Sequence, residues 1–262
     1  MLSEQQPDIV SVCTPDGTHY DVLRTVLAAP SVRGVLAEKP LALTREQAEE
    51  VVRLAQMRGV RLAVNYVRRY AESHRRLKAF LASGGIGEVQ TVGGYYTKGL
   101  LHNGTHWFDL ARFFVGEIAR VWGRDVLREG GDDPTLDAFL EFESGAAAHL
   151  QACSASAYSV FEMDLLGTRG RVRVTDSGHV FQTYGVADSP RFSGYRELRP
   201  VDGLTGGLED VLLNAVEDLA RAVDEAAEPL CSGADGVAAL GVALAVRDSA
   251  RSGAVVELRD CR

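Results

Sequence analysis

Apolar positions in the first 66 residues fall into three short runs separated by stretches of helical spacing. Ile9, Val10, Val12 and Cys13 make residues 8–14 a buried strand rich in β-branched side chains. Pro15-Asp16-Gly17 supplies turn chemistry, and an amphipathic helix is expected to start near Thr18. The second run, within residues 33–37, places Val35, Leu36 and Ala37 directly before Glu38-Lys39-Pro40. Thr44 and Gln47 have the spacing of a capping box. Ala48, Val51, Val52 and Ala55 then share one helix face, and Gly59 falls where a C-terminal cap belongs. A third strand is expected over residues 62–66. Strand, helix, strand, helix, strand in this order implies right-handed crossovers and a parallel sheet.

The pattern changes after residue 71. A helix is expected over residues 71–83, a long strand over 87–98, and a helix over 103–115 that buries Trp107, Leu110, Ala111 and Phe114. Residues 118–199 alternate as strands (VWGRDVL, LDAFLEFES, AAAHLQACSAS, FEMDLLGT, RVRVTD), with a hairpin turn at Gly167-Thr168-Arg169-Gly170. Helices over 208–226 and 236–249 and a last strand over 255–258 close the chain. The expected fold class is therefore α/β. An incomplete parallel sheet in residues 1–70 is followed by an α+β domain, residues 71–262, with a large, mostly antiparallel open sheet.

Composition narrows the function. The chain has 262 residues, 46% hydrophobic and 24% charged, which is ordinary for a globular protein. A net charge of −8 argues against phosphate-neutralising nucleic-acid binding and against an anionic membrane surface. The locally basic stretch RGVRLAVNYVRRY reads mainly as a solvated face. Cys13, Cys153, Cys231 and Cys261 show no paired spacing, so neither a disulfide framework nor a zinc site is expected. No apolar run approaches a membrane-spanning length, and a cytoplasmic location is expected.

Three stretches carry candidate chemistry. In AEKPLALT, Lys39 follows a parallel strand, where ligands of open α/β sheets bind. Partial desolvation there would bring a lysine toward the acid/base range, with Glu38 to orient it and Pro40, cis or trans, to stiffen the turn. In LLHNGTHWFDLARFFVGE, His102, His106 and Asp109 lie near one face of a helix start, and Asn103 is a candidate N-cap. A metal would need a further ligand, so none is expected; His106 is read as a proton-transfer or substrate-binding residue. In LAVNYVRRY, Asn65 stands at a strand end with Arg68 and Arg69 just beyond. Tyr96 and Lys98 close the strand leading into the histidine helix.

Together these stretches resemble the Gfo/Idh/MocA oxidoreductases. The matching residues are Thr14-Pro15 with His19, then Glu38-Lys39-Pro40, Asn65 with Arg68-Arg69, and Gly104-x-His106-x-x-Asp109 ahead of Gly116. The closing SGADGVAALGVALAVRDSARSGAVVEL also resembles that family's last helix and strand. The resemblance implies a Rossmann domain binding NAD or NADP and a C-terminal domain that forms homo-oligomers through an open sheet. It also implies hydride transfer on a hydroxyl/carbonyl of a sugar, polyol or related small molecule. Carried over, Lys39 and His106 would be the catalytic pair. Thr14, Pro15, His19, Glu38 and Asn65 would line the cofactor, and Lys98, His102, Asn103 and Asp109 would face the substrate.

Two departures accompany the resemblance. His102 stands where the family often has an aspartate. The strand, Gly-x-Gly-x-x-Gly turn and helix that open family members do not precede residue 8. GGIGEV at 84–89 lies between a helix and a strand, the wrong order for a pyrophosphate cradle, and no parallel strand leads into GLTGGLED at 203–210. The expectation is an N-terminally shortened Rossmann domain. A non-catalytic partner subunit or scaffold, or a fragment of a longer enzyme, is the alternative.

Overall fold

A computed structural model describes residues 2–258; Cys261 lies outside them. The chain forms two compact units. One comprises residues up to Ala71 together with Glu209–Leu244, the other Glu72–Leu208 and the residues from Ala245 on.

In the first unit, α1 (Leu2–Gln5), β1 (Ile9–Val12), α2 (His19–Ala28), β2 (Gly34–Ala37), α3 (Arg45–Arg58), β3 (Arg61–Val64) and α4 (Val67–Tyr70) follow in order. The three strands pair in parallel as β1-β2-β3, and Val12, Ala37 and Val64 are aligned partners at their carboxyl ends. The N-cap bond of the expected capping box is present: Thr44 Oγ1 accepts from Gln47 N at 3.3 Å, and Gly59 closes α3 with φ of 67°.

The second unit contains α5 (Glu72–Ala82), β4 (Val89–Tyr96), α6 (Thr105–Val115), β5 (Ile118–Arg124), β6 (Asp137–Phe142), β7 (Ala147–Ala152), β8 (Phe161–Gly167), β9 (Gly170–Thr175), β10 (Val180–Asp188) and β11 (Arg196–Pro200). After these come α7 (Val211–Asp224), α8 (Gly233–Ser252) and β12 (Val256–Glu257). The nine-stranded sheet has the order β11-β10-β9-β8-β4-β7-β6-β5-β12. Every pairing is antiparallel except β4 with β7.

The expected division of the chain needs one correction. Residues 209–244 do not belong with the large sheet; α7 and the first part of α8 return to the parallel sheet. The physical reason is that a parallel sheet has two faces to cover. All four residues of β2 are buried. The crossover helices α2 and α3 pack against the strands, but the face to which Gly34 points needs another element. There α7 comes so close that a Cβ on Gly34 would sit 2.7 Å from Val223 and 3.3 Å from Leu219.

The large sheet is one-sided. Along β6, β8 and β9, buried and partly exposed residues alternate, as the sequence pattern requires. Its inner face, with Val92, Leu150, Met163 and Val174, is buried, as is the expected face of α6. Trp107 Nε1 donates to Glu162 O at 3.0 Å, directly above Gly94. The outer face carries Tyr95 and Trp122, 47% and 39% exposed, and an edge-to-face pair of Phe139 with His149.

A Cβ on Gly94 would lie 2.3 Å from Trp107 Nε1 and 2.8 Å from Glu162 O, whereas one on Gly93 would meet nothing closer than 4.0 Å. Gly94→Ala is therefore expected to destabilise the protein by about 1–3 kcal/mol through overpacking, with Gly93→Ala nearly neutral. Denaturant unfolding of both variants checks this, and equal effects would contradict the packing described.

Candidate functional site

In the first unit the candidate residues gather at the carboxyl ends of the parallel strands. Because Val12, Ala37 and Val64 are in register, the residues that follow them, Cys13, Glu38 and Asn65, continue as a row just beyond the hydrogen-bonded sheet. The ladder extends into this row: Glu38 N donates to Val12 O at 3.0 Å and Asn65 N to Ala37 O at 2.8 Å. This is the place where open α/β sheets hold ligands.

Asn65 is 4% exposed, and its Nδ2 donates to Glu38 Oε1 at 2.6 Å. A carboxylate only accepts, so this contact fixes which way the amide points. It leaves Asn65 Oδ1 buried with no hydrogen-bond donor among the described residues, an acceptor open to a donor from outside the chain. Lys39 is buried at 8% exposure, and the Lys39–Pro40 peptide bond is cis. Thr14 and Pro15 are exposed on the turn after β1.

His19 is 1% exposed and lies beneath these turns. Its Nδ1 is 2.6 Å from Pro40 O and its Nε2 2.7 Å from Thr14 O. Both ring nitrogens are thus engaged by backbone, not turned to a ligand as expected from the sequence; the ring ties the β1 turn to the Lys39–Pro40 turn. The arginines after β3 also differ from the solvated face expected. Arg68 and Arg69 are 9% and 6% exposed, and Arg69 Nη2 lies 3.0 Å from Asp235 Oδ1 in the first turn of α8.

In the second unit, β4 ends at Tyr96 and the chain turns sharply. Lys98, exposed, has φ of 69°, and Gly99 has φ of 84°. A wide π-type turn, Leu100–Gly104, precedes α6, and Gly99 O accepts from both Asn103 N at 3.1 Å and Gly104 N at 3.0 Å. Such turns inside helices are enriched at functional sites. Asn103 is not the N-cap expected: it sits within this turn, and its Nδ2 donates to Thr97 O at 3.0 Å. His102 is exposed and His106 half-buried, while Asp109 is buried at 2% exposure. Among the described residues, no group of three His, Cys, Asp or Glu side chains is arranged to hold a metal ion.

Sequence reasoning missed the partner of this turn. Asp133 Oδ1 accepts from Leu101 N at 2.7 Å and Oδ2 from His102 N at 2.9 Å. Asp-Asp-Pro-Thr reads from sequence only as a loop; nothing local marks which amides it caps.

Residues 1–66 match the family model described as oxidoreductase family, NAD-binding Rossmann fold, and residues 97–173 match that of the GFO/IDH/MocA C-terminal domain. Scyllo-inositol 2-dehydrogenase (NAD(+)) of Bacillus subtilis is 26% identical over a 280-residue alignment covering 98% of this chain and 80% of that protein. The crystal structure of an NAD binding oxidoreductase from Klebsiella pneumoniae superposes with a TM-score of 0.83 at 22% identity, covering 98% of this chain and 81% of that one. Levoglucosan dehydrogenase, solved with NADH and levoglucosan, gives 0.83 at 19% identity with the same coverage. No helix among the described residues is long and apolar enough to cross a membrane. With both family models matched in order along more than half its length, the chain belongs to the Gfo/Idh/MocA family of NAD-binding oxidoreductases.

Proposed function

We propose that this protein is a dehydrogenase or reductase that uses NAD or NADP to interconvert a hydroxyl and a carbonyl on a sugar, polyol or related small molecule. The observation that carries this reading is the row at the strand ends, where the buried acceptor Asn65 Oδ1 stands beside the Glu38–Lys39–cis-Pro40 turn. The names of the inositol and levoglucosan relatives support the substrate class.

The residues present fit the nicotinamide end of such a cofactor. A carboxamide N–H is a donor that Asn65 Oδ1 can accept, and Thr14 and Pro15 are exposed at the end of β1, on the far side of β2. When bound, the nicotinamide supplies the hydride acceptor or donor. Lys39, buried where β2 ends, and His106, half-buried on the first turn of α6, are the two groups proposed to take up or return the hydroxyl proton. His19 and Glu38 hold the turn and the amide in place. Lys98, His102, Asn103 and Asp109 are proposed to orient the substrate hydroxyls. The outer face of the large sheet, with Tyr95 and Trp122 exposed, is proposed to pair with a second copy of the chain.

Three measurements bear on this. Titration by nicotinamide fluorescence is expected to saturate at micromolar NADH or NADPH, with Asn65→Leu weakening affinity about tenfold by removing the acceptor. No binding up to millimolar cofactor would sink the enzyme reading and favour a partner-subunit role. Lys39→Ala is expected to lower kcat by about 100-fold or more while cofactor affinity changes little; equal losses in both would instead mark Lys39 as a binding residue, and His106→Ala measured alongside separates the two proton carriers. Sedimentation should give a mass above the monomer that falls on Trp122→Glu; a monomeric wild type would refute the sheet contact.

A further inference from the structure

The start of the histidine helix is held by a loop some thirty residues further along the chain. Four successive amides are bonded in turn: Gly99 N to Thr135 Oγ1 at 3.0 Å, Leu100 N to Pro134 O at 3.1 Å, Leu101 N to Asp133 Oδ1 at 2.7 Å and His102 N to Asp133 Oδ2 at 2.9 Å. These are the donors that a helix start cannot pair within itself. A carboxylate taking two of them forms charge-assisted hydrogen bonds and meets the positive end of the helix dipole.

The loop is itself anchored. Tyr96, fully buried at the end of β4, donates its hydroxyl to Leu136 O and accepts from Leu136 N, both at 2.8 Å. Burial pushes the Tyr96 phenol far above its ordinary range, so it stays a neutral donor across the working pH range. Asp133 also comes close enough to Gly99 that a Cβ there would lie 2.2 Å from its Oδ2. Gly99 at positive φ is thus required twice, by the turn and by the carboxylate. Asp133 thereby bears on Lys98 at φ of 69°, on the backbone of His102, and through the wide turn on the angular phase of His106.

We infer that Asp133 is a positioning residue for the proton-transfer and substrate-binding turn: it acts through the backbone amides of Leu101 and His102, and so sets where His102 and His106 stand. This rests on the function proposed above for those histidines. Removing the carboxylate frees the Leu101 and His102 amides and lets the turn revert toward regular helix, which rotates both histidines. Misplacement of this kind, away from the reacting atoms, costs about 10–100-fold in rate.

The test compares Asp133→Ala, Asp133→Asn and, as a control, Asp132→Ala at the exposed neighbouring aspartate. Amide hydrogen exchange is measured alongside steady-state kinetics with NAD and scyllo-inositol. In Asp133→Ala, exchange at Leu101 and His102 is expected to quicken about tenfold or more while the amides of β4 stay protected. The ring resonances of His102 and His106 should shift, and kcat should fall about 10–100-fold with NAD affinity unchanged. Asp133→Asn, which keeps one acceptor, should lie between, and Asp132→Ala should match wild type. Unchanged exchange at those two amides would overturn the inference. So would unchanged kcat despite faster exchange, or a loss explained wholly by a lower Tm. If wild type oxidises neither scyllo-inositol nor levoglucosan, those two substrates are ruled out, while the exchange and ring resonances still decide whether Asp133 holds the turn.

Discussion

The register of three parallel strands is the constraint on which the first unit depends. With Val12, Ala37 and Val64 side by side, the residues after them are presented together, and a shift of one residue would send each side chain to the opposite face of its strand. The row of Cys13, Glu38 and Asn65 is therefore a product of backbone pairing before it is a product of side-chain chemistry. What the side chains add is direction: Glu38 turns the Asn65 amide, and His19 binds two neighbouring turns through their carbonyls.

The second unit solves a different problem. Its sheet buries one face only, so the inner residues must both fill the core and let α6 approach. Gly94 does this by omission, leaving room for Trp107 to reach the Glu162 carbonyl. Close approach at that point seats the helix that carries His106 and Asp109. The start of the helix is then settled by hydrogen bonds supplied from a loop, since the first amides of any helix look outward for acceptors.

Buried charge follows the same logic in the first unit. Arg69, 6% exposed, is held 3.0 Å from Asp235, which also accepts from Ser232 N at 3.0 Å at the start of α8. A buried guanidinium needs such a partner, because its desolvation is otherwise uncompensated. The pair joins α4 to α8, two elements far apart in sequence, and explains why Arg69, in a basic stretch, lies inside the fold.

Much of this was legible in the sequence. Periodicities of two and of helical type placed β1 to β3, α3 with both of its caps, the buried face of α6 and strands of the mostly antiparallel sheet, because each pattern is written in residues close along the chain. The strand-end position of Glu38, Lys39 and Asn65 was equally readable, since any ββ-parallel unit puts its loops there. Three things were decided by tertiary structure alone. Residues 209–244 return to the parallel sheet because its second face needs cover, and no local pattern names the sheet a helix will choose. His19 and Arg69 are buried, since their partners, backbone carbonyls and an aspartate, lie well away in sequence or are brought near only by folding. Asp133 grips the start of the histidine helix, and the acceptor of an orphan amide is set by which loop passes within hydrogen-bond reach, a matter of chain path that composition and spacing do not encode.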